Sequence, residues 1–250
     1  MRDVACLRRW LAAGCRAIDA LVFPWECAVC GVAAETPFCE GCRGKLVTAP
    51  EEACWRCAMP LGPWGNQEGG CWECRGRPLG FDAAIALGPY EGTTRDLCLR
   101  LKHERDAWLA PWLVDVLIEA RGQLREMPKD TWVVPIPLHW RRRWKRGYNQ
   151  ADALAGGVAH RLSLRRVHPL RRTLATPKLA QAGRSERARL MHDAFQVRRR
   201  AVRGLEGRTV LLVDDILTTG ATSGAAARAL KRAGAKRVVV VVIARAEGKV

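Results

Sequence analysis

Three short blocks of apolar residues divide the C-terminal two thirds of the chain: Trp132-Val133-Val134 with Ile136, Val210 to Val213, and Val238 to Ile243. Continuous hydrophobicity over so few residues is what a strand buried on both faces requires. A looser alternation from Phe81 to Leu87 predicts another strand, followed by a turn at Gly88-Pro89-Tyr90-Glu91-Gly92. Between these blocks the period becomes helical. Thr94 can cap a helix running through Leu97, Leu99 and Leu101, and a second helix is expected over 107–123. Ala151, Leu154, Ala155 and Val158 share one face of a third helix; a fourth runs from Ala221 to Ala233 and is closed by Gly234. Strands alternating with helices predict an α/β domain with a parallel sheet over residues 81–250.

The first 80 residues follow neither period. Residues 1–24 read as an amphipathic helix, because Arg8, Arg9, Arg16 and Asp19 interrupt any apolar core that a signal peptide would need. No run of about 18 apolar residues occurs, so no membrane span is expected and a cytoplasmic location is the default. Eight of the 11 cysteines form four CxxC pairs: Cys27/Cys30, Cys39/Cys42, Cys54/Cys57 and Cys71/Cys74. A CxxC turn brings two thiolates to one ion, and two such turns complete a tetrahedral four-sulfur site. Glycines flank these turns at Gly31, Gly41 and Gly69-Gly70. Two structural Zn²⁺ ions are therefore expected in residues 25–80. Taken sequentially, Cys27, Cys30, Cys39 and Cys42 hold one, and Cys54, Cys57, Cys71 and Cys74 the other; interleaved pairing is the alternative. Disulfides fit a reducing compartment poorly. Cys6, Cys15 and Cys98 read as small buried apolar residues, and Trp55, Trp64 and Trp72 as packing for the cysteine module, with base stacking as the alternative.

Charge adds a second asymmetry. Residues 1–80 balance nine Lys/Arg against nine Asp/Glu, so the net +17 of the chain comes from residues 81–250. Residues 139–208 alone hold 19 basic and four acidic side chains. Such a surface favours polyanions, either a multiply phosphorylated metabolite or a nucleic acid backbone. Arg100, Lys102 and His103 read as a solvated helix face.

The chemistry concentrates in TVLLVDDILTTGAT, Thr209 to Thr222. A buried strand leads to Asp214-Asp215, then to a small hydroxyl-bearing loop, then to a helix start. Unpaired amides and the positive end of the helix dipole make that start an anion site. Gly220 and Ala221 let the backbone approach closely, and Thr218, Thr219 and Thr222 add hydroxyl donors. The two carboxylates can accept from sugar hydroxyls or stand near a bound Mg²⁺. Phosphate beside diol describes a ribose 5-phosphate site. An apolar strand ending in Asp-Asp also suits a nucleotide triphosphatase, but no GxxxxGK[ST] loop exists in the chain. The stretch resembles the signature of the type I phosphoribosyltransferases. That resemblance implies phosphoribosyl pyrophosphate (PRPP) as ligand, its 5-phosphate on Thr218–Thr222 and its ribose hydroxyls on Asp214 and Asp215.

A transferase using PRPP must also hold its pyrophosphate. The cationic loop after Trp132–Pro137 is suited to this, with Arg146 and the Gly147 backbone as candidates and Arg142 in the same run. The stretch PIPLHWRRRWKRGYNQADALA resembles the PLHxxRxxxRGxNQAxxLA segment of the ComF family through Pro137, Leu138, His139, Arg142, Arg146, Gly147, Asn149, Gln150 and Ala151. With the cysteine module and the Thr209–Thr222 stretch, the resemblance spans about residue 15 to Arg245. It implies a type I phosphoribosyltransferase-like sheet with flanking helices over 81–250, preceded by a double zinc ribbon over 25–80. It also implies a role in DNA uptake during natural transformation, with single-stranded DNA and other competence proteins as partners. Ribbon and basic surface also permit a non-catalytic nucleic-acid-binding protein built on the same scaffold. Residues 171–195 occupy the place of the family's mobile loop; Thr176, Gln181, Arg187 and Phe195 match its pattern loosely, at shorter spacing.

Overall fold

The computed structural model describes residues 25–48, 53–61, 69–138, 144, 146–173 and 194–247. The helix expected over 1–24, with Cys6 and Cys15, lies outside them. So do Trp64, Arg142 with most of its basic run, and residues 174–193 of the expected mobile loop.

The chain forms two compact units, Met1–Lys45 and Leu46–Val250. In the first, strands β1 (Trp25–Glu26) and β2 (Ala33–Ala34) pair antiparallel, and a short helix α1 (Glu40–Gly44) carries Cys42. Gly31 turns the first knuckle at φ +73°, its amide donating to the Cys27 carbonyl.

The second unit is built on a parallel sheet. Its strands are β3 (Ala83–Pro89), β4 (Trp132–Pro135), β5 (Arg165–Arg166), β8 (Thr209–Val213), β9 (Ile216–Leu217) and β10 (Arg237–Arg245). They stand in the order β3-β10-β8-β4-β5, with β9 continuing β8 along β10. A separate antiparallel hairpin joins β6 (Leu170–Arg172) to β7 (Phe195–Val197).

Helices α2 (Gly92–Arg100), α3 (Leu109–Ala120), α4 (Gln150–Leu162), α5 (Arg199–Leu205) and α6 (Ala221–Arg232) flank the sheet. Alternate strand residues Val134, Leu212, Val240 and Val242 join Ala225, Ala226, Ala229 and Leu230 of α6 in one core. Every residue from Val238 to Ala244 is buried, as an apolar run between two helical layers demands.

Two local expectations change. Gly88 and Pro89 extend β3 instead of turning, because β3 stays paired with β10 through Pro89–Arg245. Thr94 is not the cap: α2 starts at Gly92 after Glu91, and Thr94 is buried within it.

Candidate functional site

Val213 pairs with Val241 and Ile216 with Ala244, so β8 and β9 hold the same register on β10. Only Asp214 and Asp215 leave the ladder. Their backbone stays anchored: the Asp214 amide donates to the Val241 carbonyl, and the Asp215 carbonyl accepts from the amides of Ile243 and Ala244, each at 3.1 Å. The acids thus occupy an interruption in a strand. The sequence reading had the loop following them directly; Ile216-Leu217 intervene because their own side chains and β10 pairing pull them back into the sheet.

Asp214 Oδ1 accepts from the Asp215 amide at 2.9 Å, and Asp215 Oδ1 from the Ile216 amide at 3.0 Å. Asp215 is buried. Its free oxygen, Oδ2, accepts from Gln150 Nε2 at 3.1 Å. The Asp214 carboxyl is pushed well above the usual carboxylate range, by desolvation first and then by the neighbouring Asp215. Cys98 is buried beneath, its Sγ 4.0 Å from the Asp215 carbonyl, and burial raises its thiol out of the reactive range.

After Leu217 the chain opens. Thr218, Thr219 and Ala221 are exposed, Thr222 is half-buried, and Gly220 is buried at φ +75°. This left-handed residue turns the chain into α6, a backbone conformation that favours glycine, and a Cβ there would stand in ordinary contact with the Phe81 ring, 3.4 Å away. Thr219 Oγ1 accepts weakly from the Ala221 amide at 3.4 Å. Helix geometry leaves the other first-turn amides without intrahelical partners, facing the loop at the positive end of the dipole. The loop is accessible, positive and small, which are the requirements for a phosphate.

The second loop reaches this site through one side chain. Arg146 donates to Gln150 Oε1 at 3.4 Å, and Gln150 in turn donates to Asp215. Asn149 caps α4, its Oδ1 accepting from the Ala151 amide at 3.2 Å while its Nδ2 holds the Ile136 carbonyl at 3.1 Å. Gly147 adopts φ +77°, and a Cβ there would lie 2.6 Å from a Glu104 carboxylate oxygen. The Tyr148 hydroxyl is buried without a hydrogen-bond partner among the described residues, and desolvation pushes it up to about 12. Arg142, the other basic candidate, lies outside the described residues. Arg100 is engaged by Asp106 at 3.1 Å. Beyond Tyr148 a cleft of about 690 Å³ opens over the ends of β4 and β5, where Arg166, His168, Arg198 and Arg200 line it.

The cysteines divide sequentially. Cys27, Cys30, Cys39 and Cys42 form one cluster and Cys54, Cys57, Cys71 and Cys74 another, each with sulfurs within 4.8 Å of one another. Zn–S bonds of about 2.3 Å in a tetrahedron put sulfurs roughly 3.8 Å apart. Measured pairs are 3.7 Å for Cys30–Cys39, 3.7 Å for Cys54–Cys74 and 3.5 Å for Cys57–Cys71. Amides also point at the sulfurs, Cys39 to Cys27 Sγ and Cys71 to Cys54 Sγ, both at 3.4 Å. Both sites fit a structural zinc ion. Trp55 and Trp72 do not pack the module as expected; they are 55% and 74% exposed, while the turns of the second cluster bury its four cysteines without them.

Residues 153–250 match the phosphoribosyl transferase domain family, and residues 18–75 match the double zinc ribbon domain. The chain is 27% identical over 221 residues to Competence protein F of Haemophilus influenzae, covering 85% of this chain and 92% of that one. It is 28% identical to the DNA utilization protein YhgH of Salmonella typhi, over 86% of this chain and 93% of the relative. A shorter match, 38% over 102 residues, covers 41% of this chain and 39% of Competence protein ComFC of Bacillus subtilis. Over most of its length the chain is thus similar to relatives named for competence and DNA utilization. The transferase match begins at residue 153, inside α4. Arg146 and Gln150 lie upstream of it and are tied to Asp215 by hydrogen bonds, Arg146 to Gln150 and Gln150 to Asp215. No helix among the described residues is long and apolar enough to cross a membrane.

Sequence reasoning missed two side chains. Gln150 stood in the family motif without a role. Arg245, a lone cation ending an apolar strand, was passed over, although a charge at the end of a doubly buried run is itself a signal.

Proposed function

We propose that this protein binds Mg²⁺·PRPP and is a phosphoribosyltransferase, acting in the cytoplasm within DNA uptake or the nucleotide metabolism linked to it. The observation that carries the reading is the placement of Asp214 and Asp215, in a strand interruption, with two residues between them and an open Thr-Thr-Gly-Ala-Thr loop at a helix start. That spacing suits one ribose 5-phosphate, with the acids on the 2- and 3-hydroxyls and the 5-phosphate on Thr218, Thr219, Gly220, Ala221 and Thr222. Arg142, Arg146 and the Gly147 backbone would take the pyrophosphate. Glu104 stands against Gly147, so it must swing aside or share the cation as pyrophosphate arrives.

Mg²⁺, when bound, neutralises the pyrophosphate and makes it a better leaving group. This chain's residues position and exclude. The bond from C1 of the ribose to pyrophosphate breaks as an acceptor nucleophile bonds to C1, and charge on the ribosyl centre is steadied by the carboxylates nearby. No side chain of the site among the described residues is placed as a nucleophile.

Calorimetry of Mg²⁺·PRPP against wild type and Asp215→Ala tests the site. Micromolar binding lost on substitution is expected; equal affinity in the two proteins would remove the assignment. Pyrophosphate release over a panel of bases and amines would then find the acceptor.

A second reading is favoured by the cleft over β4 and β5. Arg198 and Arg200 there would hold a phosphate backbone, while Arg166 and His168 are paired with Asp152, and the exposed Trp55, Trp72 and Trp144 would stack bases. Relatives named for competence and DNA utilization support it as well. A non-catalytic single-stranded DNA binder would then keep the same scaffold, and the two activities are compatible.

A further inference from the structure

Arg245 is 3% exposed and lies at the end of β10. Its Nε donates to the Cys57 carbonyl at 2.9 Å, and one terminal nitrogen donates to the carbonyls of Leu217 at 3.2 Å and Thr218 at 2.7 Å. That nitrogen also meets the Ala246 carbonyl. One guanidinium therefore ties a zinc-ligand turn to the first residue of the phosphate loop. All these acceptors are neutral carbonyl oxygens, so a buried positive charge stands directly behind a loop built for an anion.

Two further contacts hold the same pieces together. Ala58, next to Cys57, is buried in the core that also contains Leu217 and Ala225. Leu79, on the exit from the second cysteine cluster, packs against both that cluster and this core. Gly80 and Gly224 touch so closely that a Cβ on Gly224 would lie 2.1 Å from the Leu79 carbonyl, and one on Gly80 would lie 2.6 Å from the Gly224 carbonyl. The first turn of α6 is thus laid directly on the chain leaving the second zinc site.

We propose that the second four-cysteine site and the phosphate loop form one thermodynamic unit, with Arg245 as the positioning residue between them. Metal at Cys54, Cys57, Cys71 and Cys74 fixes the Cys57 turn. That turn fixes the guanidinium, and the guanidinium fixes the Leu217-Thr218 carbonyls, so the amides beyond them stay aimed at one point. Loss of the metal, by chelation or thiol oxidation, frees the Cys57 carbonyl and loosens the loop. Affinity for a phosphorylated sugar thereby becomes dependent on the zinc and thiol state of a site that touches no ligand. Coupling between two binding events is reciprocal, so the sugar phosphate must in turn retain the zinc.

This inference rests on the ligand reading above, and the test separates them. Zinc release from wild-type protein is followed with a zinc-selective chelator and a colorimetric dye, with and without saturating Mg²⁺·PRPP. Two release phases are expected. PRPP should slow by about tenfold the phase that is absent in Cys71→Ser. In calorimetry, Cys71→Ser should bind PRPP about tenfold more weakly. Arg245→Met should keep both zinc ions yet lose the effect of PRPP on release, a change that a purely structural role for Arg245 would not produce. If Arg245→Met fails to fold, the wild-type comparison with and without ligand decides alone. PRPP that binds wild type but leaves both release phases unchanged would overturn the coupling. PRPP that does not bind at all would overturn the ligand assignment and the coupling together.

Discussion

A carboxyl group held well above its usual range, as Asp214 is, makes stability depend on pH in a definite direction. Below about pH 4 the group is protonated in both the folded and unfolded chain, and nothing is lost. As pH rises towards the folded-state value, the unfolded chain ionises first, and the fold loses stability through that window. Asp214→Asn escapes the loss. We expect the variant to gain on wild type in denaturant unfolding as pH rises from 4 to 8, while its affinity for PRPP falls. A gap independent of pH would contradict the burial argument. At Gly70 the reasoning is steric. With φ at +107° and a Cβ position 2.5 Å from Cys74 Sγ, Gly70→Ala should displace that ligand and reduce the metal content from two zinc to one by elemental analysis. Both residues could be singled out from sequence, the acid from its strand and the glycine from its place before CxxC. What sequence did not disclose was the burial that desolvates Asp214 and the Cys74 sulfur that faces Gly70.

Among the elements, α6 shows how much a run of small residues hides. Gly224-Ala225-Ala226-Ala227 reads as ordinary helix, and its boundaries were legible to within a residue. Its reason is distance. Alanines let the helix lie close over β8 and β10, and Gly224 admits the Leu79 carbonyl. Gly224→Ala has no relaxed position available. It should cost about 1–3 kcal/mol in chemical denaturation, the typical cost of overpacking. A neutral result would mean that the Leu79–Phe81 segment is not seated on the helix. Strand β8 was likewise readable, but its interruption was not, since Asp-Asp followed by Ile-Leu carries no mark of returning to the sheet. The return is imposed by β10, whose amides at Ile243 and Ala244 need the Asp215 carbonyl.

For the whole molecule the largest sequence signal was charge, a local +15 over residues 139–208. Within the described residues part of it is spent internally: Arg161 on Asp115, Arg166 and His168 on Asp152, Arg208 on Asp130. Arg198 and Arg200 remain on the cleft. If about two phosphates are neutralised there, single-strand affinity should fall with a slope of about −0.7 per phosphate. That is roughly a sevenfold loss for a fourfold rise in salt. Fluorescence anisotropy of a labelled oligonucleotide checks this, and salt-independent or absent binding would remove the second functional reading.

Spacing along the chain determined the four CxxC pairs, the strand–helix alternation and the acid–loop–helix order, because each is written in neighbours within about 20 residues. Tertiary structure alone decided that Gln150 meets Asp215 and that Arg245 meets both Cys57 and Thr218. Those pairs are 65, 188 and 27 residues apart. A long-range hydrogen bond of this kind has no local pattern, since it depends only on which strand ends and helix starts the sheet order brings together.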